Sequence, residues 1–356
     1  MRVVYITRGF GDYLIDLLNA MVSDTEVHIV LTKGDECVAE HLDPRINVWF
    51  SKAPRVGSLG NLAAMLRTSR YIKKISPDII HMQSGVIWEL LLKLFLRHVP
   101  FILTVHDVTR HPTKQKWIET PQQLLDWGAK LSDAIIVHGE QMKVAARNRF
   151  GKACRIFVSH HGIISKYGTG VADLNPSRFN VLLFGRIDAY KGVEYLIKAE
   201  PLIRQQIPQV RIIIAGEAQN VDYYQGLVKS DQKIDLRLQR QDDEEVSELY
   251  QTADVIALPY TEASQSGVLQ VGFAFGIPPV VTAVGGLPDV ISDKKNGLIV
   301  PPENPEELAK AIIRLLTDID LRKTIIEGVI ESREGCYNWD IIAADIRTLY
   351  CELIPS

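Results

Sequence analysis

The chain has 356 residues, of which 46% are hydrophobic and 23% are charged, and its formal net charge is −3. This composition is typical of a soluble globular protein and excludes a disordered or collagen-like chain. Because the length exceeds what one hydrophobic core usually holds, we expect two domains.

The charge is unevenly distributed along the chain. Up to residue 175 there are 22 Lys and Arg against 16 Asp and Glu, a balance of +6, whereas the rest has 18 against 27, a balance of −9. A basic first part suits contact with anionic lipid or with an acidic acceptor. The excess is small and lacks an interleaved aromatic pattern, so we expect no nucleic-acid partner.

Neither a membrane span nor a secretion signal is predicted. The longest nearly apolar run, residues 86–99, is interrupted by Glu89, Lys93 and Arg97, and the first residues lack a long apolar segment. The four cysteines are scattered, without a C-x-x-C pair or zinc-ligand spacing, which is typical of reduced thiols. We therefore expect a cytoplasmic protein.

Short apolar runs alternate with amphipathic stretches, which is the pattern of βα units and parallel sheets. The first half has predicted strands at VVYIT, VHIVL, INVWF, DIIHM, FILTV, AIIVH and RIFVS, with helices at 58–75, 85–97, 122–131 and 140–150. A second series of strands follows at NVLLFG, RIIIAG, LRLQ, DVIALP, PVVTAV and GLIVPP, and the tail has predicted helices at 305–316, 319–333 and 338–353.

This pattern predicts an α/β protein with two Rossmann-like domains in tandem and a ligand cleft at the carboxyl ends of their strands. We place the first domain at residues 1–165, a linker at 166–177 and the second domain at 178–335. The linker lacks periodicity and is rich in Gly, Asp, Asn and Pro. Residues 336–356 contain an amphipathic helix with an apolar stripe that needs a surface to pack on.

Two motifs of the first domain are candidates for binding. The first strand ends in TRGFGDYLIDLL, where Gly9 and Gly11 permit close approach of a ligand, although a tight turn explains them equally well. Leu14 stands where the dinucleotide fingerprint needs a third glycine, which argues against a nicotinamide or flavin site. His106 follows a predicted strand and could orient a substrate, with a hydrogen-bonded loop histidine as the alternative. His106 and His111 are five positions apart in a loop, which is not the spacing of metal ligands.

The second domain carries a candidate diphosphate site. Arg186 and Lys191 lie in LLFGRIDAYKG, where Arg can bind phosphate in a bidentate manner and Lys adds a mobile charge. Glu262 follows the strand DVIALP, and a small-residue turn through Ser266 then opens a helix whose first N–H groups suit a phosphate. A diphosphate site beside a carboxylate is what a nucleotide sugar requires.

These motifs resemble the retaining GT4-type glycosyltransferases of the GT-B fold. The resemblance rests on GRIDAYKG, LYQTADVIALPY, AFGIPPVVTAVGGLPDVI and NGLIVPPENPEELAKAI. It implies two parallel-sheet domains that face each other across a cleft, with a C-terminal helix that crosses back to the first domain. It also implies transfer of a sugar from a nucleoside diphosphate, UDP or GDP, to an acceptor hydroxyl with retained configuration.

The resemblance assigns roles to individual residues. Glu262 would contact the donor sugar hydroxyls, and His106 would contact the sugar near its reacting carbon. The donor diphosphate would be held by Gly11, Arg186, Lys191 and the backbone N–H groups of Gln265, Ser266 and Gly267. No divalent ion or other cofactor is expected, because cationic side chains take its place.

The sequence departs from the family pattern at three points. Gln270 replaces the second acidic residue of the E-x7-E motif, so we expect altered recognition of the nucleotide ribose. Arg240 lies in the loop that usually contacts the base, which leaves the base open. The short first turn, RGFGD, leaves the acceptor side open as well.

We therefore expect an enzyme of cell-surface polysaccharide or glycolipid synthesis, with a glycan or lipid-linked acceptor. A nucleotide-sugar 2-epimerase and a non-catalytic sugar-nucleotide-binding protein remain alternatives. Four basic residues on one predicted helix suggest peripheral contact with an anionic membrane, against the alternative of a solvated helix face: Arg67, Arg70, Lys73 and Lys74. Asp318 and Asp320 mimic a D-x-D metal motif, but we interpret them as helix-capping carboxylates.

Overall fold

The computed structural model describes residues 1–7, 10–32, 35–51, 60–83, 92–108, 122–151, 154–173, 175 and 177–354. Gly9, His111 and most of the predicted helix at 85–97 lie outside these residues. The chain divides into two compact units. Unit 1 comprises Met1–Gly162 and Trp339–Ser356, and unit 2 comprises Ile163–Asn338.

Unit 1 is built on a seven-stranded parallel sheet with the strand order β3-β2-β1-β4-β5-β6-β7. Its strands are β1 (Arg2–Thr7), β2 (Glu26–Thr32), β3 (Asn47–Ser51), β4 (Ile79–Gln83), β5 (Phe101–Thr104), β6 (Ala134–Val137) and β7 (Ile156–Val158). The central strands β4, β5 and β6 are buried along their whole length. Helices cover both faces of such a sheet, which is why β5 and β6 are almost entirely apolar, whereas β4 also buries the polar side chains of His81 and Gln83.

The helices of unit 1 lie between these strands. They are α1 (Gly11–Met21), α2 (Glu36–Ala39), α3 (Gly60–Ile75), α4 (Leu92–Phe95), α5 (Gln122–Leu131) and α6 (Glu140–Phe150). All seven predicted strands are confirmed. The helices predicted at 58–75, 122–131 and 140–150 are also confirmed, with bounds that differ by at most two residues, whereas no bounds were predicted for α1 and α2. For the helix predicted at 85–97 the description starts at Leu92.

Unit 2 contains a six-stranded parallel sheet with the order β10-β9-β8-β11-β12-β13. Its strands are β8 (Asn180–Phe184), β9 (Arg211–Ala215), β10 (Ile234–Arg237), β11 (Val255–Leu258), β12 (Pro279–Thr282) and β13 (Leu298–Val300). Its helices are α7 (Val193–Gln206), α8 (Val221–Leu227), α9 (Asp243–Thr252), α10 (Gly267–Ala274), α11 (Leu287–Val290), α12 (Pro305–Thr317) and α13 (Ile319–Glu334). The side chain of Asp318 accepts a hydrogen bond from the N–H of Leu321 at 3.0 Å, which confirms it as the cap of α13.

The last helix, α14 (Trp339–Leu353), belongs to unit 1. The hydroxyl of Tyr350 lies 2.7 Å from the hydroxyl of Tyr5 on β1 and 2.5 Å from Nδ1 of His81 on β4. The predicted apolar stripe is buried at Ile342 and Ile346. The two parallel sheets and the return of this helix to the first unit confirm the predicted α/β fold.

Within the residues described, no helix combines the length and apolarity needed to cross a lipid bilayer.

Candidate functional site

The candidate donor site of unit 2 lies where the strand order of its sheet reverses, between β8 and β11. From β8 the sheet continues through β9 to β10, and from β11 it continues the opposite way through β12 to β13. Ligands of doubly wound sheets bind at this switch point, beyond the carboxyl ends of the two central strands. Arg186 and Lys191 follow β8, and Glu262 follows β11, so the topology brings the predicted side chains to one edge of the sheet.

Lys191 is buried, with 8% of its surface exposed. Its Nζ donates a hydrogen bond to the hydroxyl of Tyr260 at 2.7 Å and lies 4.0 Å from the centre of that ring. The ring of Tyr190 is 5.1 Å away. Burial lowers the pKa of the Lys191 ammonium, against the opposing effect of Tyr190. The side chain of Lys191 is therefore held in place, and the prediction of a mobile charge is wrong because two tyrosines enclose the side chain.

Ser266 caps the helix α10, as the small-residue turn predicts. Its Oγ accepts a hydrogen bond from the N–H of Leu269 at 3.4 Å and lies 3.3 Å from the hydroxyl of Tyr260. Gly267 is the first residue of the helix. The first N–H groups of a helix have no partners within it and carry the positive end of its dipole, so this helix start can receive an anion.

The loops after β8 and β11 are joined by a backbone hydrogen bond. The N–H of Thr261 donates to the carbonyl of Tyr190 at 2.8 Å. At Gly192, where φ is +65°, a Cβ atom would lie 1.9 Å from the carbonyl oxygen of Pro259. Glycine is needed here because any side chain would separate the two loops, and with them Lys191 from the helix start.

Two glycines, Gly285 and Gly286, pack closely against the segment that carries Glu262 and Gln265. A Cβ atom at Gly285 would lie 1.4 Å from the carbonyl oxygen of Ala263, and one at Gly286 would lie 2.6 Å from Nε2 of Gln265. Glu262 itself is exposed. The pair of adjacent glycines after the strand PVVTAV was a signal of close packing, but a pair of glycines does not indicate which segment it approaches.

Arg186 is the more exposed of the two cations. Its Nε lies 2.5 Å from Oδ2 of Asp188, and more than half of the side chain is accessible. The preceding residue, Gly185, adopts φ +107°, and a Cβ atom there would lie 3.0 Å from the side chain of Val268 in the first turn of α10. The backbone at Arg186 therefore runs beside the helix start that holds Ser266.

Gln270 points into the interior of unit 2. Only 1% of its surface is exposed, and its Oε1 has no hydrogen-bond partner among the residues that the structure describes. A buried acceptor without a donor is energetically costly, so this amide is suited to a hydroxyl supplied by a ligand. Arg240 is exposed after the edge strand β10, which β9 separates from β8. The contacts that join Lys191, Tyr260 and Ser266 do not include it.

In unit 1, His106 follows β5 and is buried. Its Nε2 lies 2.8 Å from Oε1 of Gln83, its Nδ1 lies 3.2 Å from Nε2 of His138, and the ring of Phe10 stacks on it at 3.8 Å. Burial, reinforced by the neighbouring histidines, lowers the pKa of His106 well below its ordinary value. The ring is therefore neutral at pH 7, and a contact with a sugar would require one nitrogen to exchange its partner.

Gly11, also in unit 1, begins α1 and has a packing reason to be glycine. A Cβ atom at this position would lie 2.6 Å from Cγ2 of Val38 on α2. The preceding Phe10 adopts φ +58°, a left-handed conformation that is uncommon for an aromatic residue. Gly11 thus lies after the carboxyl end of β1 and His106 after the carboxyl end of β5, both in unit 1. The other candidate residues belong to unit 2.

Two family models match the chain. The model described as Glycosyltransferase Family 4 matches residues 7–166, and the model described as Glycosyl transferases group 1 matches residues 178–318.

Curated relatives match the chain over about half of its length or over most of it. An uncharacterised glycosyltransferase of Methanocaldococcus jannaschii is 31% identical over 175 residues, which is 48% of this chain and 44% of that protein. The D-inositol 3-phosphate glycosyltransferase of Pseudarthrobacter chlorophenolicus is 26% identical over 352 residues, covering 87% of this chain and 82% of the relative. The crystal structure of HepE from Anabaena, in complex with UDP and glucose, has a TM-score of 0.77 at 20% identity and covers 99% of this chain and all of that one.

Proposed function

The chain belongs to the GT4-type glycosyltransferases, and we propose that it transfers a sugar from a nucleoside diphosphate to an acceptor hydroxyl. The observation that carries the proposal is the hydrogen-bonded sequence from Lys191 through Tyr260 to Ser266 at the switch point of unit 2. It places a buried cation two hydrogen bonds away from a helix start, which is an arrangement suited to phosphate.

In the proposed reaction, negative charge builds up on the diphosphate as the bond from the sugar to its oxygen breaks. Lys191, Arg186 and the first N–H groups of α10 stabilise that charge, and they need little reorganisation because they are already held by protein contacts. The two cations neutralise the leaving group in place of a divalent ion, so we expect turnover to survive a chelator. Glu262 accepts hydrogen bonds from hydroxyls of the donor sugar.

The first donors to test are UDP sugars, with UDP-glucose foremost, because HepE was solved with UDP and glucose. GDP sugars are the second choice. The proposed acceptor is a glycan or a lipid-linked saccharide of cell-surface synthesis, and D-inositol 3-phosphate is a further acceptor to test because a relative is named for it. The configuration at the transferred carbon is retained in this proposal, since the motifs resemble retaining enzymes. An NMR spectrum of fresh product would show an inverted centre if that assignment is wrong.

The decisive experiment measures donor binding and donor turnover in the same preparation. We expect UDP to bind in calorimetry and UDP-glucose to be hydrolysed slowly without an acceptor. Lys191→Ala, Arg186→Ala and Glu262→Ala should each lower turnover by about 10²–10³-fold. Lys198→Ala, which removes an exposed cation of α7, is the matched control and should leave turnover unchanged.

The same assay separates the alternatives. Release of an epimerised sugar nucleotide from donor alone would indicate a 2-epimerase. Tight binding of UDP without turnover on any acceptor would indicate a sugar-nucleotide-binding protein. Near wild-type turnover of Glu262→Ala at saturating donor would contradict the assignment of the site.

We also propose that unit 1 attaches to an anionic membrane that presents a lipid-linked acceptor. The four basic residues predicted for this role are exposed on α3: Arg67, Arg70, Lys73 and Lys74. The helix α3 contacts α4, where Leu94 and Phe95 are 46% and 37% exposed. A basic face beside exposed apolar side chains matches the requirements of a lipid surface.

Vesicle binding tests this attachment. Arg70→Glu with Lys74→Glu should weaken sedimentation with phosphatidylserine vesicles and remove most of its salt dependence. Lys130→Glu with Arg147→Glu makes the same charge change at exposed positions of α5 and α6 and serves as the control. Equal loss of vesicle binding in the two double variants would indicate a general effect of net charge. Equal binding of wild type to vesicles in 0.05 M and 0.5 M salt would exclude an electrostatic attachment.

A further inference from the structure

The hydroxyl of Tyr260 lies within hydrogen-bond distance of two groups that are far apart in sequence, the Lys191 ammonium and the Ser266 hydroxyl. It lies 2.7 Å from Nζ of Lys191 and 3.3 Å from Oγ of Ser266. The tyrosine is 1% exposed, and its own carbonyl accepts a hydrogen bond from Oγ1 of Thr282 at 2.6 Å. Its ring is therefore fixed between the end of β11 and the neighbouring strand β12.

The hydroxyl of Tyr260 takes part in two hydrogen bonds. An ammonium can only donate, so the oxygen of Tyr260 accepts from Lys191. Either hydroxyl can donate in the contact between Tyr260 and Ser266, and we take Tyr260 as the donor because its oxygen already accepts from the ammonium. Oγ of Ser266 also accepts from the N–H of Leu269. Both lone pairs of the serine are then occupied, which leaves its hydroxyl hydrogen to be donated to a ligand.

We propose that Tyr260 is a positioning residue that aims the Lys191 ammonium and the Ser266 hydroxyl hydrogen at one phosphate group at the start of α10. The inference rests on the proposed function, because it assumes that a nucleoside diphosphate is the ligand. Two donors with fixed directions bind a phosphate more strongly than two that must first be ordered.

The hydroxyl and the ring of Tyr260 have separable effects. Phenylalanine keeps the ring under the Lys191 ammonium but removes the acceptor of its proton. Burial already lowers the pKa of Lys191. A hydrogen bond from the ammonium to the Tyr260 oxygen favours the charged form, so loss of that acceptor should lower the pKa of Lys191 further. Ser266 also loses the donor that directs its hydrogen outward.

The test compares Tyr260→Phe with Tyr250→Phe by calorimetry with UDP between pH 7 and pH 10. Tyr250 is a matched control, since its buried hydroxyl donates to the carbonyl of Val268 at 3.2 Å without touching Lys191. We expect Tyr260→Phe to bind UDP about 10-fold more weakly at pH 7. Its binding should also decline at a lower pH than that of wild type, while Tyr250→Phe stays within about twofold at every pH.

Ser266→Gly provides a second variant, because glycine is tolerated at a helix cap. It should weaken UDP binding without moving the pH at which binding declines. Combining it with Tyr260→Phe should cause little further loss of affinity, because Tyr260→Phe already removes the group that directs the Ser266 hydroxyl hydrogen. Additive losses, or a Tyr260→Phe variant with wild-type affinity and pH dependence, would overturn the inference alone. Failure of wild type to bind UDP, GDP or ADP would overturn the proposed function and the inference with it.

Discussion

Gly285 approaches Ala263 so closely that a Cβ atom on the glycine would lie 1.4 Å from the alanine carbonyl oxygen. The glycine also adopts φ +49°, which is unfavourable for residues with a side chain. The carbonyl belongs to the segment between Glu262 and Ser266, so the glycine determines how near that segment lies to β12.

Gly285→Ala should therefore displace the Glu262 segment. We expect donor affinity to fall by about 10-fold or more and unit 2 to lose about 1–3 kcal/mol in its free energy of unfolding. Calorimetry with UDP and urea unfolding monitored by circular dichroism measure the two effects. The control is Gly226→Ala in α8, where a Cβ atom meets nothing within 4 Å. A wild-type affinity in Gly285→Ala would show that the segment is not part of the donor site.

Gln270→Glu tests the departure from the E-x7-E motif. In the free protein the new carboxylate would replace a buried amide whose Oε1 has no partner among the described residues, so its desolvation should lower the melting temperature. Ribose hydroxyls would compensate the charge when a nucleotide binds. We expect a lower melting temperature without UDP and a larger increase when UDP is added, both measured by differential scanning fluorimetry.

Gln270→Leu is the matched control for that substitution. It removes the polar group while keeping most of the volume, so the free protein should remain stable but UDP should stabilise it less than it stabilises wild type. If UDP raises the melting temperature equally in wild type, Gln270→Glu and Gln270→Leu, the ribose does not contact the side chain at position 270.

The strands and helices were predictable from the sequence because each leaves a local periodicity. The buried runs at β5 and β6 and the cap at Asp318 depend on neighbours only a few residues away. Arg186, Lys191 and Glu262 were found through motifs, which likewise occupy consecutive positions.

The pairings within the site were not predictable, since they join residues that are distant in sequence. Tyr260 meets Lys191 across 69 positions, and the partners of His106 come from β4 and from the residue after β6. Periodicity indicates that a strand is buried but not which neighbouring side chain it meets. The burial of Lys191 was missed because Tyr260, which encloses the side chain together with the adjacent Tyr190, comes from the loop after β11.

Asp254 joins three segments of unit 2 and provides a test of its stability. Its side chain is fully buried and accepts hydrogen bonds from Nη2 of Arg322 at 2.8 Å, from Nε of Arg178 at 3.0 Å and from the N–H of Asn180 at 2.7 Å. Asp254→Ala leaves the buried Arg322 without its carboxylate, so we expect a loss of about 3–5 kcal/mol in the free energy of unfolding.

The control for Asp254→Ala is Asp231→Ala, which breaks an exposed ion pair with Arg204 and should cost less than about 1 kcal/mol. Urea unfolding followed by circular dichroism measures both variants. All five tryptophans belong to unit 1, so fluorescence reports that unit separately: Trp49, Trp88, Trp117, Trp127 and Trp339. A loss in Asp254→Ala no larger than in Asp231→Ala would show that the buried network contributes little.

The buried histidines of unit 1 predict a loss of stability in acid. Burial lowers the pKa of both His81 and His138 to about 3, while in the unfolded chain they titrate near 6.5. The unfolded state therefore binds more protons below pH 6.5, so the stability that is present above this pH is lost as the pH falls toward 3. Each histidine should remove about 1 kcal/mol between pH 7 and pH 5.5, measured by urea unfolding with tryptophan fluorescence.

His138→Gln should reduce the loss of unfolding free energy between pH 7 and pH 5.5 by the contribution of one histidine, about 1 kcal/mol. The glutamine amide can still donate to the carbonyl of Ser159, which Nδ1 of His138 contacts at 3.0 Å, but it does not titrate. His41→Gln makes the same substitution at an exposed position of unit 1 outside the buried histidine cluster, and it should leave the pH dependence of stability as in wild type. If His138→Gln and His41→Gln change the pH dependence of the free energy of unfolding equally, the loss of stability in acid arises outside the buried histidine cluster.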